Sequence, residues 1–188
     1  IVRLAFPLIY QADFFSDTKI FPLNVIDPSV PSWAVSLLGA IAGGIIGGGS
    51  LWDVGSYPVT YAQLIAGHEP KMVFGSAHWH ASGVDEEFMG MLRFDEGMSA
   101  NIYAGFRTPY RTWLEVLGTD GALTVPNPFR PGPVEVLELE RSNGVERIEV
   151  PGSEMIFVRQ VEDFEARILD GAPAVVTLAE SRQTASTL

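Results

Sequence analysis

The 188 residues are 47% hydrophobic and 19% charged, which is enough for one sizeable core and makes a single domain the simplest count. The formal net charge is −11, from 23 acidic and 12 basic residues, and this argues against nucleic-acid and anionic-membrane partners because the overall field repels both. The sequence has no cysteine, so disulfides and thiolate metal sites are excluded and a cytoplasmic location is favoured.

The first quarter of the sequence combines an apolar run with a glycine-rich stretch. Residues 1–10 predict a buried strand, and the prolines between positions 22 and 31 predict an irregular connection. Residues 33–49 carry no charge and hold six glycines, which disfavours both helix and strand. This stretch is too short and too poorly anchored for a membrane span. We expect residues 1–49 to form a strand plus a buried or poorly ordered segment within the same domain as residues 50–188.

Residues 50–67 predict a helix. Ser50 is expected to cap its first turn with the side-chain hydroxyl, and Gly67 is expected to end it. Pro58 lacks a backbone donor, so it is expected to bend the helix near Val54. Such an irregularity is often found beside a functional site.

Asp53 and Tyr57 are the candidate catalytic pair on this helix. They are four residues apart, so a carboxylate and a proton-carrying hydroxyl are expected to point into the same space. The glycines at 47–49 allow a ligand or another backbone segment to come close. The structural alternative is that Asp53 only complements the helix dipole and that Tyr57 is a half-buried aromatic.

From Lys71 onward the hydrophobic period changes to two, which predicts an antiparallel or mixed sheet. Residues 87–94 and 98–107 predict a hairpin with one apolar face. Further strands are predicted at residues 113–117, 122–125, 134–139 and 145–150, with turns at 118–121 and 143–144. An amphipathic helix is predicted over residues 158–169, and a last helix is expected to begin at the capping box Thr177-Leu178-Ala179-Glu180. The order of these elements predicts an α+β fold.

The run from Gly47 to Val59, GGGSLWDVGSYPV, resembles the substrate-domain signature of the Gfo/Idh/MocA family, the glucose-fructose oxidoreductases and inositol dehydrogenases. Residues 84–94, 114–121 and 161–171 are similar to the same family in the same order. The resemblance implies the C-terminal substrate-binding and oligomerisation domain of that family. It implies an open, largely antiparallel sheet with helices packed on one face and a homo-oligomer formed through the other face.

Members of this family move a hydride between a nicotinamide dinucleotide and a sugar-like alcohol. The resemblance therefore implies NAD or NADP as cofactor and a sugar, polyol or related alcohol as substrate. It implies Tyr57 as the proton carrier and Asp53 as the partner of the substrate hydroxyl. Because a phenol has a pKa of about 10, a positive charge near Tyr57 is needed for work at neutral pH. Arg107 is the candidate substrate-binding cation, although a solvated strand end explains it as well.

The dinucleotide is expected to bind mainly outside these residues. No G-x-G-x-x-G spacing follows a strand, and the Glu-Lys-Pro motif that holds the family's active-site lysine is absent. The start, Ile1-Val2-Arg3-Leu4, has no signal-peptide pattern and is expected to be the interior of a longer protein. We therefore expect the family's N-terminal Rossmann domain to lie beyond this chain, and the chain alone to be inactive.

Two other functions stay open at this point. A non-catalytic binding or oligomerisation module of the same fold would have lost dinucleotide binding. A metal-dependent hydrolase would use His78 and His80, which flank Trp79 and are expected to share one face of a strand. Two histidines supply too few ligands, so no metal site is predicted.

Overall fold

The computed structural model of the chain describes residues 3–9, 48–152 and 157–188, with the backbone alone for 3–9. Its strands are β1 (Arg3–Ile9), β2 (Met72–Trp79), β3 (Asp85–Arg93), β4 (Ser99–Gly105), β5 (Arg111–Thr112), β6 (Leu114–Leu117), β7 (Ala122–Val125), β8 (Val134–Arg141) and β9 (Gly144–Pro151). Its α-helices are α1 (Ser56–Ala66), α2 (Val158–Leu169) and α3 (Leu178–Thr187); a π-helical turn (Leu51–Gly55) precedes α1 and a 3-10 turn (Asp95–Gly97) joins β3 to β4.

The strands of the described residues form one sheet in the order β2-β3-β4-β1-β6-β7-β8-β9, with β5 paired to β1. All neighbours are antiparallel except β1 and β4, which run parallel from Arg3 beside Ser99 to Ile9 beside Gly105. The predicted N-terminal strand is therefore confirmed over 3–9, and it lies in the middle of the sheet. The predicted connection over residues 10–47 lies outside the described residues.

The alternation of apolar and polar residues along the strands matches the burial of the two sheet faces. Ala100, Ile102 and Ala104 of β4 are almost fully buried, whereas Asn101 between them is exposed. The core lies on the buried face, where the side chains of α1 pack against β3, β4 and β6; its buried members are Val59, Ala62, Leu92, Phe94, Ala100, Ile102 and Leu114. The predicted α+β class, with a largely antiparallel sheet and a helical layer on one face, is confirmed.

The helix over 158–169 has the predicted bounds and the last helix begins at the predicted capping box, but the two helices are anchored differently. Thr177 and Glu180 form the predicted capping box: the Thr177 hydroxyl accepts the Glu180 N–H at 3.2 Å, and the Thr177 N–H is donated to the Glu180 carboxylate at 2.7 Å. This cap starts α3, which packs on α1 through Gln63, whose side-chain amide donates to the Thr187 hydroxyl at 2.8 Å. In contrast, no residue of α2 is buried against the described part of the chain.

Candidate active site

The start of the helical segment is fixed by a buried carboxylate from the sheet. Ser50 was expected to cap the helix with its own hydroxyl, but that hydroxyl instead donates to the Asp85 carboxylate at 2.6 Å. The same carboxylate oxygen accepts the Leu51 N–H at 2.8 Å. Asp85 therefore supplies the acceptor for one free N–H group of the first turn, that of Leu51. The expectation for Ser50 was wrong in mechanism because the capping oxygen comes from the start of β3, 35 residues away.

Gly49 lets Asp85 reach the helix. Its φ of +94° lies in the left-handed region, and a Cβ placed there would fall on the Asp85 Oδ1 atom and 2.7 Å from its Cγ. The glycine required at this position thus explains part of the glycine run. Ser50 and Asp85 are both buried, so the contact forms a rigid support under the turn that carries the candidate pair.

The irregularity predicted at Pro58 takes the form of the π-helical turn Leu51–Gly55, directly before α1. Pro58 has no N–H to donate to the carbonyl of Val54, which removes one α-helical hydrogen bond at this point. Turns of this kind are frequent at functional sites. Asp53 lies in the π-helical turn and Tyr57 in the first turn of α1.

Asp53 and Tyr57 lie within electrostatic reach of each other and are both accessible. Tyr57 is 50% exposed, and Asp53 is also exposed. Partial burial raises the pKa of the Asp53 carboxyl. Burial also raises the pKa of the Tyr57 phenol, and the negative charge of Asp53 raises it further. The expected acid and hydroxyl are thus brought to one accessible surface, and the pKa of each is raised above its ordinary value.

An aromatic cluster from a distant loop supports Tyr57. Phe129, between β7 and β8, meets the Tyr57 ring edge-on at 5.6 Å and the Tyr61 ring at 5.4 Å. The Tyr61 hydroxyl donates to the carbonyl of Pro128 at 2.9 Å, and Phe129 also packs on the buried Val54. This loop is therefore anchored on the helix that bears the candidate pair.

Arg130 follows in the same loop and is the cation whose charge lowers the pKa of Tyr57, against burial and Asp53. Its guanidinium lies over the Tyr110 ring, 5.3 Å from the ring centroid. A phenol at position 57 needs a nearby positive charge for work at neutral pH, but the sequence did not indicate that Arg130 supplies it. The only signal was its residue type in a proline-rich loop, and no local spacing links that loop to Tyr57.

Arg107, the candidate substrate-binding cation, lies elsewhere on the surface. Its Nε atom is 3.9 Å from the Glu86 carboxylate, and its charge acts on the Tyr103 hydroxyl. Burial raises the pKa of Tyr103, and Arg107 is one of two groups that lower it. The described contacts of Arg107 therefore lie with Glu86 and Tyr103, not with Asp53 and Tyr57.

The two histidines considered for a metal do not share a strand face. The register shifts between His78 and Trp79, and β2 ends at Trp79, so His80 lies in the following turn. There its Nδ1 contacts the Ser82 hydroxyl at 2.8 Å. Across the described ranges, no three His, Asp or Glu side chains are grouped so that they would hold a metal ion.

Two concavities are present away from the candidate pair. One, of about 670 Å³, lies on the sheet face opposite α1, and its lining includes Phe74, Met89, Met91, Tyr103 and Trp113. The other, of about 380 Å³, lies between α1 and the edge strand β2. Neither of these two concavities is lined by Asp53 or Tyr57. No helix of the described residues is long and apolar enough to cross a membrane.

Comparison with known proteins shows a family and several enzymes to which the chain is similar. Residues 42–124 match the model of the GFO/IDH/MocA C-terminal domain. The chain is 29% identical over 151 residues to an uncharacterised oxidoreductase of Rhizobium meliloti, covering 76% of this chain and 45% of that protein. It is 33% identical over 94 residues to a D-xylose 1-dehydrogenase (NADP(+)) of Haloferax volcanii, covering 50% of this chain and 29% of that protein. The chain thus spans less than half the length of these relatives.

A solved structure shares the fold. It is a 3-ketoreductase from Actinomadura kijaniata in complex with NADP and TDP-benzene, with a TM-score of 0.73 and 21% sequence identity. The match covers 98% of this chain and 50% of the ketoreductase. The signature around Asp53, the sheet and the family model all agree. Residues 42–124 of this chain are thus similar to the Gfo/Idh/MocA C-terminal domain, and the curated relatives that share this region are oxidoreductases.

Proposed function

We propose that the chain is the substrate-binding domain of an NAD(P)-dependent oxidoreductase that acts on a sugar, polyol or related alcohol. The observation that carries the proposal is the placement of Asp53 and Tyr57 on one accessible surface, held by the Asp85 support and the Phe129 cluster. The relatives add weight, since one is a xylose dehydrogenase using NADP.

In this proposal the cofactor is held mainly by a region outside the described residues. No described strand is followed by a glycine-rich phosphate loop, and the accessible surface around Asp53 and Tyr57 suits the substrate side of an interdomain crevice. A bound nicotinamide supplies the acceptor or donor of the hydride. We expect the 188-residue chain alone to be inactive, and its lack of cysteine favours a cytoplasmic protein.

The residues of this chain handle the proton. During oxidation the substrate C–H bond breaks as a hydride leaves, the C–O single bond becomes a C=O double bond, and the hydroxyl proton passes to the Tyr57 oxygen. During reduction Tyr57 returns that proton to the forming alkoxide. Asp53 accepts a hydrogen bond from a substrate hydroxyl and orients it toward Tyr57. Burial and the charge of Asp53 raise the pKa of the Tyr57 phenol above its ordinary value, so the unassisted phenol keeps its proton near neutral pH and suits the reductive direction.

The test uses the complete gene product that contains this chain. Calorimetry with NAD and NADP should show binding heat, and sugars or their keto forms should produce or consume reduced nicotinamide in an absorbance assay. An absence of heat with both dinucleotides would overturn the proposal and favour the non-catalytic module of the same fold.

A second role, self-association through the open sheet face, is favoured by the side chains exposed there. Met72, Phe74 and Met89 are each more than half exposed on the face opposite α1, next to the concavity of about 670 Å³. Exposed apolar residues grouped in this way favour a protein contact. Sedimentation should show a homo-oligomer that Phe74→Lys weakens, whereas Leu64→Lys, at a 69% exposed site on α1, leaves it intact. A wild-type monomer would contradict this role.

A further inference from the structure

We propose that Arg130, restrained by Tyr110 and by the anchored Pro128–Phe129 segment, is a positioning residue whose charge acts on the proton-carrying hydroxyl of Tyr57. This inference rests on the proposed function for its catalytic meaning. The effect of a fixed cation on the ionisation of one particular phenol can be tested on the chain alone.

The first support is the anchoring of the backbone before Arg130. Pro128 is buried, and its carbonyl accepts the Tyr61 hydroxyl at 2.9 Å. Phe129 contacts the rings of both Tyr57 and Tyr61 and packs on the buried core pair below them. Three separate contacts thus hold these two residues on α1, and the residue that precedes Arg130 contacts the Tyr57 ring itself.

The second support is the position of the guanidinium. Its Cζ atom lies 5.3 Å from the centroid of the Tyr110 ring, which belongs to the loop between β4 and β5. Stacking on an aromatic face restrains the long side chain and keeps its charge in one place. An Arg keeps that charge at every pH at which Tyr57 titrates, whereas a lysine would begin to lose it in the same range.

The third support is the set of charges that face Tyr57. From its own helical segment come the Asp53 carboxylate, which opposes ionisation, and the Tyr61 phenol, whose hydroxyl is engaged by Pro128. From the β7–β8 loop comes Arg130, which favours ionisation, with Tyr110 beneath it. An anion and a cation therefore act on Tyr57 with opposite effects. Removal of Asp53 should lower the pH at which Tyr57 titrates, and removal of Arg130 should raise it.

The experiment replaces the five tyrosines of the 188-residue chain with 3,5-difluorotyrosine, whose phenol ionises at lower pH than that of tyrosine and within the range in which the fold persists. Fluorine NMR then follows each phenol, with Tyr57 assigned by its absence in Tyr57→Phe. Arg130→Gln should raise the Tyr57 midpoint by about half a pH unit, less than the shift for a close buried pair because Tyr57 is half exposed. Arg130→Lys should restore most of the wild-type value, and Asp53→Asn should lower the midpoint.

Tyr103, on the opposite sheet face, is the internal control and should not move in any Arg130 variant. An unchanged Tyr57 midpoint in Arg130→Gln, with the spectrum of a folded protein, would overturn the inference. A shift of Tyr103 as large as that of Tyr57 would also overturn it, because it would indicate a general rearrangement. Neither outcome touches the dinucleotide-binding and turnover assays that test the proposed function.

Discussion

Replacement of Gly49 by alanine should destabilise the chain far more than the same change at an ordinary turn glycine. The added Cβ would fall on the Asp85 carboxylate, which accepts hydrogen bonds from the Ser50 hydroxyl and the Leu51 N–H. Gly49 has a φ of +94°, so alanine also meets backbone strain there. The perturbation therefore combines strain with the loss of the support beneath Asp53 and Tyr57.

The magnitude follows from these contacts. A non-glycine residue at positive φ costs about 1 to 2 kcal/mol. A buried donor left without its acceptor costs about 1 to 3 kcal/mol, and displacement of Asp85 strands the Leu51 N–H while the Ser50 hydroxyl can turn to the Ala104 carbonyl at 3.3 Å. We expect Gly49→Ala to lower the free energy of unfolding by about 3 to 4 kcal/mol.

Urea denaturation of the 188-residue chain measures this, with Gly83→Ala as the matched control. Gly83 has a φ of +90°, and a Cβ there would meet nothing within 4 Å, so only the backbone strain of about 1 to 2 kcal/mol is expected. The double variant Gly49→Ala/Asp85→Ala should cost less than the two single changes together, because the group that clashes is gone. If Gly49→Ala and Gly83→Ala lose the same stability, the account of Asp85 as the support is refuted.

Three further outcomes follow from other contacts. Tyr61→Phe removes the hydrogen bond to the Pro128 carbonyl and should lower the free energy of unfolding by about 1 kcal/mol. Hydrogen bonds from Thr177 lower the pKa of Glu180 below its ordinary value of 4.5. The contribution of Glu180 to folding stability is therefore present above pH 4.5 and is lost as the pH falls through the folded pKa. The wild type should lose more stability in that pH window than Glu180→Gln. Burial raises the pKa of Asp53 above its ordinary value of 3.8, so the charged carboxylate destabilises the fold at neutral pH. Asp53→Asn should therefore stabilise the chain at pH 7, and this gain in stability should shrink as the pH falls toward 4. Denaturant titrations across pH test these three predictions. A stability gain for Asp53→Asn that does not change with pH would contradict the prediction for Asp53.

Local patterns in the sequence were sufficient for the elements whose partners lie close along the chain. The Thr177–Glu180 capping box, the β3–β4 hairpin and the helical segment from Ser50 to Gly67 were all predictable in this way. The spacing of Asp53 and Tyr57 also predicted that they share one surface, because a helix alone places them there.

Contacts between distant segments were not predictable from such patterns. The hydrogen bond from Ser50 to Asp85 spans 35 residues, and the sequence offered a nearer and equally plausible cap in Ser50 itself. Arg130 reaches Tyr57 only because the sheet brings the β7–β8 loop to α1, and nothing in the local sequence separates it from Arg107. The parallel pairing of β1 with β4 depends likewise on the whole sheet. Local spacing therefore identified the candidate pair, and only the fold revealed what surrounds it.

The central claim is that Tyr57 carries the proton in a hydride transfer, and turnover by the complete gene product tests it most directly. With a sugar substrate and NADP, Tyr57→Phe should reduce kcat by roughly 10²- to 10⁴-fold, the usual contribution of a proton-transfer group, while dinucleotide binding is retained. Tyr103→Phe, which removes a phenol hydroxyl from the opposite sheet face, should leave kcat unchanged. Equal turnover by the wild type and Tyr57→Phe would contradict the claim.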